Sequence, residues 1–80
     1  MPLAERQRFG RNLQDARLNK GLTQLELSHL LGVWPQTLQR WEYGETFPVP
    51  RRLHSISEAL DVSIRELREE KPNGNSPSDD

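Results

Sequence analysis

Between residues 22 and 44 the chain has room for two short helices, and its own punctuation says where each begins and ends. Thr23 is followed three residues on by Glu26, so the hydroxyl can accept from the Glu26 amide while the carboxylate reaches back to the Thr23 amide. Leu22 and Leu27 stand where a hydrophobic staple closes such a start. Leu27 and Leu31 share one helical face, and Gly32 occupies the position where a left-handed residue ends a helix. Pro35 suits a first helical position, where its missing N–H costs nothing. Leu38 and Trp41 then lie three apart on the inner side before Gly44 closes the second run. Helices this short bury too little surface alone, so they must cross and lean on neighbours.

The flanking sequence supplies those neighbours. Residues 5–20 read as a first helix with an inward stripe of Phe9, Leu13 and Ala16, ended by Lys20 and Gly21. Pro48 discourages helix before position 50, and Pro50 can start a fourth helix carrying Leu53, Ile56, Ala59 and Leu60. Ser63 with Glu66, and Val62 with Leu67, repeat the box and staple for a short fifth helix; Asp61 tolerates the left-handed turn before it better than most residues. From Lys71 no apolar side chain remains to anchor the chain. The expected organisation is therefore one domain over residues 1–70 and a disordered polar, acidic tail over residues 71–80. The fold class is all-α, a compact five-helix bundle with no strand.

Eighty residues at 32% apolar content allow a single small core. With no cysteine, neither a disulfide framework nor a thiolate metal site is available. His29 and His54 lack the spacing of a zinc site, and no glycine-rich phosphate loop follows a strand, so we expect no enzyme, no metal and no cofactor. The N-terminus carries no apolar run of signal length and the chain no membrane span, which makes a cytoplasmic protein without a membrane partner the default. The formal net charge is -1. Bases cluster early, at Arg6, Arg8, Arg11, Arg17 and Lys20, whereas residues 21–50 hold only Arg40 against Glu26, Glu42 and Glu45. Such a balance speaks against a strong nonspecific hold on nucleic acid.

The segments Leu22-Thr23-Gln24, Leu31-Gly32-Val33 and Thr37-Leu38 with Arg40-Trp41-Glu42 and Gly44, then Pro48 and Ala59-Leu60 with Val62-Ser63, resemble the Cro and phage-repressor type of helix-turn-helix domain, also called Xre-like. The resemblance runs over residues 9–67. It implies a sequence-specific duplex-DNA-binding transcriptional regulator, with residues 35–43 as recognition helix in the major groove and a homodimer on a palindromic operator. It further implies that Gln24 holds a phosphate, that Arg51 reaches backbone or minor groove, and that Arg17 pairs with Glu42 as an orienting ion pair. At the exposed start of a recognition helix, Gln36 and Gln39 have the donor and acceptor that adenine needs; Thr37 offers a methyl or hydroxyl, and Arg40 can fork onto guanine or hold a phosphate. Tyr43 could donate a hydrogen bond to a phosphate or be simply a half-exposed tyrosine.

Two residues depart from the family pattern. Trp34 replaces a capping Ser or Thr, and Pro35 a polar residue. Trp34 could lie along sugar and thymine methyl or meet a protein, but inward or partly inward packing is the first expectation. Leu25 and Leu30 also stand at usually polar positions. With Trp34 they define an alternative: a protein-interaction module or antitoxin-like adaptor that keeps the scaffold but binds DNA weakly or not at all.

Overall fold

Five helices alternate with tight turns in the computed structural model, which describes residues 1–70: α1 (Leu3–Asn19), α2 (Gln24–Leu31), α3 (Pro35–Tyr43), α4 (Pro50–Leu60) and α5 (Ile64–Arg68). The all-helical bundle expected from sequence is the one observed; the tail expected over residues 71–80 lies outside the described residues. α1 begins two residues before the expected Glu5. Pro2 is its extended N-cap, and nothing in Leu3-Ala4 opposes helix.

Two kinds of helix start coexist. At α2, the Glu26 amide donates to Thr23 Oγ1 at 3.0 Å and the Thr23 amide to Glu26 Oε1 at 2.9 Å. Ser63 and Glu66 repeat the same reciprocal pair at α5 with the same distances. α3 and α4 instead open on Pro35 and Pro50, behind extended Trp34 and Val49, with no side-chain cap. Left-handed residues end α2, α3 and α4. At Gly44 (φ 78°) a side chain would be strained and would also meet Gln7.

Each helix sends at least one side chain to the centre. Phe9 and Leu13 from α1, Leu27 from α2, Leu38 from α3, Ile56 from α4 and Leu67 from α5 are all essentially inaccessible. Burial of each such side chain stabilises the fold by about 1.5–3 kcal/mol. Phe47, from the loop before α4, tilts against Phe9 with ring centroids 4.6 Å apart and lies under the Arg68 guanidinium at 5.4 Å. The buried Asn12 Nδ2 donates to the carbonyls of Leu67 (2.9 Å) and Glu69 (2.6 Å), which ties α1 to the end of α5. α1 packs on α3 and α5, and α2 on α3 and α4, so α3 is held between the first two helices.

Candidate nucleic-acid interface

The spacing of α3 sets its two sides. Leu38, Trp41 and Glu42 are buried, while Gln36, Arg40 and Tyr43 stand on the open side. α1 approaches the inner side so closely that Gly10 has no room for a Cβ. One would sit 2.7 Å from the Trp41 carbonyl oxygen and closer still to that of Glu42. A glycine inside a helix costs about 1 kcal/mol against alanine, so its presence in an otherwise regular helical pattern is the signal that marks such a contact.

Arg17 crosses this junction. Its Nε donates to Glu42 Oε2 at 2.7 Å, Nη2 to Glu42 Oε1 at 3.1 Å, and Nη1 to the Leu22 carbonyl at 2.9 Å. The Glu42 side chain retains only 1% exposure, and the pair is bidentate, the geometry in which a buried ion pair is best tolerated. Gln24, at the start of α2, donates from Nε2 to Glu42 Oε1 at 2.9 Å and accepts at Oε1 from Gln39 Nε2 at 3.4 Å. Gln24 and Gln39 therefore belong to one chain of hydrogen bonds that begins at α1.

Two further arginines hold the ends of the motif helices. Arg6 Nε donates to the Gly44 carbonyl at 2.9 Å beyond α3, and Arg52 Nη1 to the Leu31 carbonyl at 2.9 Å at the end of α2. Each places a cation at a negative helix pole. Neither residue, nor Gly10 or Asn12, was identified from sequence.

On the open side of α3, Gln36, Arg40 and Tyr43 (61% exposed) are accessible, Thr37 and Gln39 are half-buried, and Arg51 is exposed in the first turn of α4. With Glu42 withdrawn against Arg17, the exposed acids of residues 21–50 are Glu26 and Glu45.

Trp34 corrects the expectation of inward packing: it is 77% exposed. Val33 packs against the core, and along the extended turn the next side chain points the other way. Leu25 and Leu30, 67% and 63% exposed, share a shallow apolar hollow of about 530 Å³ with Leu22, Glu26 and His29. Trp34 does not line it. Among the described residues no group of three or more His, Asp or Glu side chains converges as a metal site, and no helix is long and apolar enough to cross a membrane.

A family model described as helix-turn-helix matches residues 13–67. Over 59 residues the chain is 37% identical to the HTH-type transcriptional activator BcrR of Enterococcus faecalis, covering 74% of this chain and 29% of that protein. It is 36% identical over 53 residues to multiprotein-bridging factor 1b of Arabidopsis thaliana, covering 66% of this chain and 37% of that one. The matched region thus spans about a third of the length of these two relatives. The solved structure of the restriction-modification controller protein C.AhdI from Aeromonas hydrophila superposes with a TM-score of 0.75 at 31% identity, over 80% of this chain and 97% of that one.

Proposed function

The chain belongs to the helix-turn-helix family of the Cro and phage-repressor type, and from that premise we propose that it is a cytoplasmic, sequence-specific transcriptional regulator of duplex DNA. One observation carries the reading: α3 is fixed from behind by the Arg17–Glu42 pair and the Gly10 contact, while Gln36 and Arg40 project from its opposite side. A helix held that rigidly can present hydrogen-bonding groups to a major groove without losing their order on binding. Gln36, Thr37, Gln39 and Arg40 address base edges, and Trp34 lies along sugar or a thymine methyl. Tyr43, Arg51 and the N-terminus of α2 at Gln24 take phosphates.

Arg40 is the only arginine or lysine within residues 21–50, which keeps the phosphate contribution of the motif itself small per copy. Two copies on half-sites about 34 Å apart make up the difference, so the operator is palindromic and the protein a homodimer on DNA, joined through residues 54–67. The test is selection from a randomised duplex pool at two salt concentrations. A recovered palindrome whose affinity falls as salt rises is the expected result; recovery of no sequence at the lower salt would overturn the reading.

A second reading has its own observation. The hollow between Leu25 and Leu30, with Trp34 exposed nearby in sequence, is the surface a protein partner would use in an adaptor or antitoxin-like module. Leu25→Ser with Leu30→Ser, assayed for partner capture and for DNA binding, separates the two.

A further inference from the structure

The hydrogen-bond chain behind α3 has a direction, and the direction is set at its buried end. Arg17 occupies both Glu42 oxygens, and a carboxylate so paired can only accept. Gln24 must therefore turn its Nε2 amino group to Glu42 Oε1, which it meets at 2.9 Å. Reversing that amide would set its carbonyl oxygen against the carboxylate, two acceptors face to face beside a buried charge. With Nε2 turned to Glu42, the Gln24 atom that faces Gln39 is Oε1. Gln39 answers with its own Nε2 at 3.4 Å. The oxygen of the half-buried Gln39 amide accepts no hydrogen bond among the described residues, and one Nε2 proton remains beside it.

We infer that Gln24 is a positioning residue that fixes which way round the Gln39 amide faces, so that Gln39 selects a base carrying an amino group and rejects guanine. This rests on the DNA-binding reading above. Adenine fits first, because its 6-amino group donates to the Gln39 oxygen and its N7 accepts the remaining Nε2 proton; cytosine offers the amino group alone. Guanine shows the major groove only O6 and N7, both acceptors, and faces the Gln39 oxygen unfavourably. A glutamine free to turn over would accept either purine. Selectivity for the amino base thus originates in an ion pair that touches no DNA.

The test uses the 80-residue chain and the operator it recovers from a randomised duplex pool. Gln39→Ala identifies the operator position that depends on Gln39, and that position is expected to hold adenine or cytosine in the unaltered protein. Gln24→Leu is expected to admit guanine there while leaving the preference set by Gln36 unchanged. Should Gln24→Leu not fold, purine in place of adenine at that position, which lacks the 6-amino group, tests the unaltered protein directly and is expected to weaken binding about tenfold. Guanine at the Gln39-dependent position, no Gln39-dependent position at all, or a Gln24→Leu variant that binds all sequences equally more weakly with preferences intact would each overturn the inference and leave the DNA reading standing. Failure to recover any operator would overturn the DNA reading, and the inference with it.

Discussion

On its inner side α3 gives Leu38, Trp41 and Glu42 to its neighbours, and the buried carboxylate is met by Arg17 and Gln24. On its outer side Gln36, Arg40 and Tyr43 form no hydrogen bond with another side chain among the described residues. The difference teaches where each property of the helix resides. Its position is fixed entirely from behind, so the outer residues can change with little effect on folding, and the inner ones cannot change without moving the outer ones.

The largest expected effect falls on the inner side. Arg17→Ala leaves Glu42 buried without its partner and should cost about 3–5 kcal/mol in chemical denaturation; a loss near zero would mean that the junction of α1 and α3 does not depend on the pair. Gly10→Ala comes next, at about 1–3 kcal/mol, because the new Cβ meets the backbone of Trp41 and Glu42 and α1 has to move away. The thermal midpoint reports it, and an unchanged midpoint would show that the two helices can separate without cost. On the outer side Gln36→Ala should weaken the selected operator about tenfold in a binding titration while stability stays within about 0.5 kcal/mol. Equal weakening on random DNA would remove Gln36 from base reading and blur the contrast between the sides. Smallest of all, Trp34→Ser should raise stability by about 0.5 kcal/mol in the same denaturation assay, since it supplies the missing cap and removes a side chain the core does not hold. A substantial loss instead would show that the exposed indole supports the fold.

Much of the fold was legible because helix ends are decided locally. Thr23 with Glu26, Ser63 with Glu66, Pro35, Pro50, Gly32 and Gly44 each act over three or four residues and need no knowledge of what packs opposite. What escaped depends on which helix lies across. Gly10 matters only because α3 passes over it; Arg6, Arg52 and Asn12 matter only because a carbonyl from a distant segment is aimed at each. The direction of Trp34 was misread for the same reason. Either Val33 or Trp34 could have faced inward from an extended turn, and it is Val33 that packs against the core. In the candidate site, residue type and position along α3 nominated the outward groups. The inward turn of Gln24 onto Glu42 and Gln39 depends on the placement of α1, and spacing alone does not encode it.

The two arginines at the helix ends have an architectural consequence. Arg6 comes from α1 and Arg52 from α4, one on each side of the motif in sequence, and each closes the end of one motif helix. Residues 22–44 excised or grafted elsewhere would lose both closures together with the Gly10 seat. Any portion transplanted with its reading surface intact must therefore carry α1 and α4 as well as the motif, and a chimera that exchanges only the outward residues of α3 is the sounder route to altered recognition.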